Sequence, residues 1–140
     1  KNDNLEKNIL VNDYEMQSKN LKKYRENHNK FIENFRIKID YILKELKNEK
    51  LNIYCAGIHT STLLSLFPEL NDKIANIYDS DESLENTLVG KVLVSSSKQI
   101  NKKTLKNFLM STTNHEHTIY KFLKLINNEF KIFSLYDDFN

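Results

Sequence analysis

The sequence predicts an α/β fold, a doubly wound parallel sheet of about five strands in the order 3-2-1-4-5, carried behind a long N-terminal amphipathic helix. Three observations point there. Short apolar runs alternate with helical candidates along residues 51–140. The stretch Leu51–Leu64 passes from an apolar run through a small-residue turn, Cys55-Ala56-Gly57, into a Thr/Ser segment followed by leucines at helical spacing. Before it, Leu21, Tyr24, His28, Phe31, Phe35, Ile39, Ile42 and Leu46 recur in steps of three and four, the period of one helical face.

The N-terminal residues are polar, and no element is assigned before about Asn12. From Leu21 to Leu46 a helix would run about 39 Å, longer than one face of a small α/β domain covers. Part of its stripe is therefore expected to meet a second copy of the chain or a neighbouring domain, the other reading being a helix packed wholly on its own sheet. His28 on that stripe is either a packed histidine or a ligand, with packing the simpler reading. The division is a helical arm over 1–50 and an α/β domain over 51–140.

In the second region Leu51–Cys55, Ile74–Tyr78, Lys91–Ser95, Asn107–Thr112 and Phe130–Leu135 read as strands. Helices are expected over Thr60–Phe67, Asn101–Lys106 and His115–Asn127. Pro68 stops the first. In the last, Ile119, Phe122, Leu123 and Ile126 form an apolar face, with Thr113 or Asn114 as the cap. Strand and helix alternating at this spacing imply parallel strands joined by right-handed crossovers, with helices on both faces.

Composition narrows the function classes. With 21 Lys+Arg against 19 Asp+Glu the chain is nearly neutral, which gives no electrostatic case for nucleic acid. One cysteine, Cys55, excludes an internal disulfide framework and suits a reducing compartment. No apolar run approaches the roughly 18 residues of a membrane helix, so a cytoplasmic protein with no membrane partner is expected. A chain that begins at Lys1 rather than Met is expected to be a fragment, with any catalytic domain elsewhere.

In such a sheet the crevice opens at the carboxyl ends of strands 1 and 4, where chain order reverses. The candidate ligand-binding residues are therefore Ala56, Gly57, Ile58, His59 and Thr60 on the first loop, Asp79 at the end of strand 2, and Thr112 and Thr113 on the fourth loop. Gly57 lets a backbone come close to a ligand, and the amides of the following helical turn offer donors for an anion. The Thr60 and Ser61 hydroxyls would supplement them. Asp79, about 20 residues past Gly57, either accepts ribose hydroxyls or caps a turn. Against the pattern G-x-G-x-x-G the chain shows Cys55, Gly57 and Thr60, so only the middle glycine is present. Cys55, His59, His115 and His117 carry zinc-type donors, but two histidines two apart at a helix start diverge, and no metal site is expected. His59 or His115 could serve as a general base, yet no paired carboxylate or nucleophile dyad accompanies them, and whether the chain is an enzyme stays open.

Cys55-Ala56-Gly57-Ile58-His59-Thr60 resembles the Gly-Ala-Gly-x-His-Thr opening of Rossmann-like domains in bacterial surface-glycan and sugar-nucleotide proteins. The likeness runs over roughly Leu51 to Asp137. Ile77-Tyr78-Asp79 looks like that family's second strand with its terminal acid, Gly90-Lys91-Val92 like its approach to strand 3, and Phe108–Thr112 with Ile119, Tyr120 and Leu123 like its fourth strand and helix. The resemblance implies a nucleotide or sugar nucleotide as ligand, and Gly57, His59, Thr60 and Asp79 as the positions to test. Cys55 stands where the family has its first glycine. Two other readings remain. Cys55-Ala56-Gly57 and Thr60-Ser61-Thr62 are similar to the phosphocysteine loop of phosphotransferase-system B domains, which implies a phosphocarrier using Cys55. Alternatively the chain is a structural module whose N-terminal helix mediates homodimer or interdomain contact without any ligand.

Overall fold

In a computed structural model the protein is described over residues 2–136, with side chains from Glu15 onward. The chain forms two compact units, Lys1–Ile37 and Lys38–Asn140. A single helix, α1, runs Asn2–Leu46, so it begins well before the first position assigned from sequence. Within the second unit its last turns bury Ile39, Ile42 and Leu46, three positions on one helical face. The helix ends where Lys47 adopts a left-handed φ of 55°, the terminating geometry that glycine more often supplies.

The rest of the second unit is an α/β fold with a six-stranded, mostly parallel sheet. Its elements are β1 (Leu51–Tyr54), α2 (Ile58–Leu66), β2 (Ile74–Asp79), β3 (Leu88–Val89), β4 (Val92–Ser96), β5 (Asn107–Met110), α3 (Glu116–Ile126) and β6 (Lys131–Ser134). The order is β3-β4-β2-β1-β5-β6. All pairings are parallel except β3 with β4. The sheet thus departs from the expected five strands and their order, because a short antiparallel strand heads one edge. That strand is two residues long and belongs to a tight hairpin. Gly90 occupies the first central position of the turn with φ 59°, the pattern of a type II′ hairpin.

Every residue of β1 and β5 is buried, as parallel strands covered on both faces require. On one face Tyr54, Tyr78, Phe108, Met110 and Ile132 form a cluster with Ile119 and Leu123 of α3 and with Phe130. The Phe108 and Phe130 rings lie 4.9 Å apart. Alternation puts Ile53, Ile77, Leu109 and Phe133 on the opposite face. Lys131 shares that face and pairs with Glu45 near the end of α1 at 2.7 Å. Pro68 opens a 3-10 turn, Pro68–Leu70, directly after α2.

Two local expectations are corrected. Asn101–Lys106 is a turn and not a helix: the Asn101 side chain accepts from the Lys103 amide at 2.8 Å, and the Asn101 amide donates to Thr104 Oγ1 at 2.9 Å. Such side-chain bonds compete directly with helical ones. The N-cap of α3 is His115, which makes no capping bond, rather than Thr113 or Asn114.

The chain leaves β1 through α2 toward β2 on one side and leaves β5 through α3 toward β6 on the other. Between β1 and β5 the direction of winding reverses, and loops 55–57 and 111–115 both emerge at the carboxyl ends of the strands. Among the described residues no helix is long and apolar enough to cross a membrane.

Candidate functional site

The first loop is built around an unusual backbone. Cys55 has φ 90°, a conformation that a residue with a Cβ rarely adopts, at the position where the G-x-G pattern would place glycine. Its amide still donates to the Tyr78 carbonyl at 2.8 Å, so the bend follows directly on the sheet. Asp79 then fixes the next residue. Its Oδ2 accepts from the Ala56 amide at 2.8 Å, while Oδ1 accepts from Asp81 N at 2.8 Å. This acid clamps two loops with one oxygen each.

Gly57 follows as the N-cap of α2 with φ −81° and ψ −164°, an extended conformation open to any residue. A Cβ built there would meet no atom within 4 Å. The amides of Gly57 and Ile58 find no acceptor among the described residues, whereas those of Thr60 and Ser61 close onto the Gly57 carbonyl. The Ile58 side chain is 86% exposed and stands away from the loop. The rim therefore presents bare backbone beside open space, with the positive end of α2 behind it.

Beneath it lies a hydrogen-bonded chain that joins the two loops. Thr60, wholly buried, has its hydroxyl 2.6 Å from the Cys55 carbonyl and 2.8 Å from Ser111 Oγ. His59 Nδ1 lies 2.7 Å from Ser111 Oγ, and Nε2 lies 2.6 Å from the Tyr136 hydroxyl. Proton counting orders this chain. A carbonyl only accepts, so the single Thr60 proton goes to Cys55 O. Ser111 must then donate to Thr60 Oγ1 and accept from Nδ1–H of His59. Burial holds the imidazole below its usual 6.5, which favours the neutral ring. In that ring Nε2 is the acceptor, and Tyr136 donates to it. Burial, reinforced by the Glu116 charge, pushes the Tyr136 phenol up, which keeps its proton in place.

Glu116 is a buried carboxylate in the first turn of α3, accepting from Ser134 Oγ at 2.7 Å. Ser134 Oγ in turn accepts from the Tyr136 amide at 3.1 Å. The ends of β1, β5 and β6 are thus tied by polar side chains. The Cys55 thiol, by contrast, is pushed up to about 12 by burial and by the nearby Asp79 charge.

Of the residues anticipated from sequence, Ala56, Gly57, His59, Thr60 and Asp79 share this rim. Thr60 turns its hydroxyl inward, so its part is to hold the loop rather than to extend a donor outward. Thr112 is half-buried and Thr113 exposed, and neither joins the chain of bonds. Ser111 and Tyr136 do, and sequence reasoning assigned them no role. Ser111 could have been found as the first residue past the central strand β5; Tyr136 lies beyond the last strand, where no motif marks it. Among the described residues no group of three His, Cys, Asp or Glu side chains could hold a metal. A cleft of about 510 Å³ lies at the opposite ends of the strands, lined by Glu49, Lys50, Lys102, Lys103 and Lys106 among others.

No family model matches the chain. No curated protein matches its sequence either.

Proposed function

We propose that this chain is a Rossmann-like, doubly wound domain that binds a nucleotide or sugar nucleotide at the carboxyl rim of β1 and β5, as part of a bacterial surface-glycan or sugar-modifying protein of the cytoplasm. The observation that carries the reading is the unobstructed backbone at Gly57, with two unbonded amides at the switch point of a parallel sheet. A phosphate would sit on the amides of Gly57 and Ile58, where donors and helix dipole act together. Asp79 retains acceptor capacity on both oxygens after its two amide bonds, and would take ribose hydroxyls. His59 reaches the same rim as a neutral ring held by Ser111 and Tyr136.

The phosphocysteine reading is disfavoured by the thiol itself. A nucleophilic cysteine needs a lowered pKa, and burial beside Asp79 moves Cys55 the other way.

The test is a thermal-shift series with nucleotides, sugar nucleotides and S-adenosylmethionine, run on the protein and on Gly57→Asp. A ligand at a hundredfold excess over its Kd stabilises by about 2.7 kcal/mol, a rise of several degrees or more in Tm. Aspartate is a favoured N-cap and fits the extended backbone at 57, so the variant should fold with unchanged or raised Tm. Its carboxylate caps the His59 or Thr60 amide and sets a negative charge beside the free amides of 57 and 58, which repels phosphate, so the ligand shift should vanish. No shift with any compound at millimolar concentration, or an undiminished shift in Gly57→Asp, would overturn the assignment.

A further inference from the structure

The N-terminal unit carries an apolar pattern of its own. From Gln17 to Phe35 the steps alternate strictly between four and three: Gln17, Leu21, Tyr24, His28, Phe31, Phe35. That is a heptad seam, with Leu21, His28 and Phe35 at a and Gln17, Tyr24 and Phe31 at d. After Phe35 the rhythm breaks, because Ile39 follows four residues later instead of three. The break falls beside the boundary of the two units at 37 and 38. Beyond it the buried positions Ile39, Ile42 and Leu46 serve the α/β unit. Before it Leu21, Tyr24 and Phe31 are 56%, 68% and 49% exposed, whereas Phe35 is buried within the single chain, so the exposed seam ends at Phe31.

Charge follows the same register. Nine charged residues lie between Glu15 and Arg36, and all but Arg25 occupy b, c and f, the positions facing away from a seam. The g positions are Asn20, Asn27 and Asn34, and the e positions are Ser18, Arg25 and Ile32. Two identical helices laid parallel and in register would pair Asn20 with Arg25 and Asn27 with Ile32, with no like charges opposed. Polar layers would meet polar layers, Gln17 on Gln17 and His28 on His28, while apolar layers met their own kind. A slipped parallel partner would set these polar side chains against Leu, Tyr or Phe; an antiparallel partner would match them only in the one register that lays Gln17 on His28, and a thiol at position 17 tells the two apart. Intrinsic propensity is a poor explanation for the helix. Residues 2–37 include eight asparagines, weak helix formers, and an isolated helix gains little stability without a packed face.

We infer that residues 17–31 form a parallel, in-register, two-stranded coiled coil with a second copy of this chain. The helix face is the interface, and Gln17 and His28 set its register at some expense of affinity.

Sedimentation equilibrium of the full chain tests this. The protein should dimerise reversibly. Leu21→Asp and Phe31→Asp should each weaken the dimer by at least about tenfold, about 1.4 kcal/mol, with the α/β unit still folded by near-ultraviolet dichroism. His28→Ile should tighten it by a similar factor, and Glu33→Gln at f should leave it unchanged. Gln17→Cys, oxidised and peptide-mapped, should give a dimer bridged between the two copies of position 17. A protein that stays monomeric at all accessible concentrations, including as His28→Ile, overturns the inference. So does a dimer indifferent to Phe31→Asp, or one whose position-17 thiols never bridge.

Discussion

The two ends of the parallel sheet are both laced with polar side chains, but to opposite effect. At the amino ends, asparagines do the work. Asn52, wholly buried in β1, donates to the Leu105 carbonyl at 2.8 Å and accepts from Asn76 of β2 at 3.0 Å. Asn107 opens β5 by donating to Glu49 Oε2 at 2.8 Å and to the Lys50 carbonyl at 3.3 Å. These bonds link neighbouring segments through carboxamides, with the Glu49 carboxylate as one acceptor. At the carboxyl ends the lacing runs through His59, Ser111, Thr60 and Tyr136, includes a titratable ring, and leaves two backbone donors unused. One belt closes the structure; the other holds a loop open in a fixed shape. The difference separates polar burial that only links segments from polar burial that shapes the candidate site.

The largest effect should come from cutting the asparagine belt. Asn52→Leu orphans the Leu105 carbonyl and the Asn76 amide together, and should cost about 2–4 kcal/mol, read as a lowered urea midpoint at constant m-value. A loss below about 1 kcal/mol would mean that water or rearrangement replaces both bonds. At the other rim a smaller effect should invert a usual preference. Because Cys55 sits at φ 90°, Cys55→Gly should be more stable than Cys55→Ala by about 1 kcal/mol, although alanine normally outranks glycine. If alanine is the better replacement, the bend carries no strain. The smallest effect is electrostatic and comes from the imidazole at the carboxyl rim. The folded state holds His59 below 6.5, so the unfolded chain binds more protons as pH falls past that value. This stability is fully present above about pH 6.5 and declines as pH drops toward the lower folded value. Denaturation midpoints of the protein and of His59→Gln should therefore converge on acidification through that window, and parallel curves would remove the neutral imidazole from the argument.

Much of this architecture can be read in the chain, because buried parallel strands write themselves as apolar runs. Leu51–Tyr54 and Asn107–Met110 lie inside the runs that mark them, and the apolar face of Ile119 and Leu123 marks α3. What escapes has specific causes. Leu88–Val89 is too short to show alternation, and only the hairpin around Gly90 makes it a strand. Asn101–Lys106 has helical composition, yet the Asn101 carboxamide diverts the backbone into a turn. The geometry of the candidate site was legible where a local pattern existed, at Gly57 and at Asp79, and illegible where it depends on distance. Ser111 lies 52 residues from His59 and Tyr136 lies 77 away, and nothing near either position announces the partner.

The hairpin at Gly90 has a consequence for life in solution. A β-carbon at that glycine would stand 2.8 Å from Asn71 Oδ1 and 3.1 Å from Leu64 Cδ1, in addition to the unfavourable φ. Both are side-chain ends that can turn aside, so the strain falls on the backbone, where a φ of 59° costs a residue with a β-carbon about 1 kcal/mol or more and loosens the β3–β4 hairpin. A loosened hairpin bares the edge of β4, whose backbone amides and carbonyls are what a foreign strand needs for templated growth. Gly90 is therefore a guard against self-aggregation, and its loss would be felt first as turbidity at high concentration.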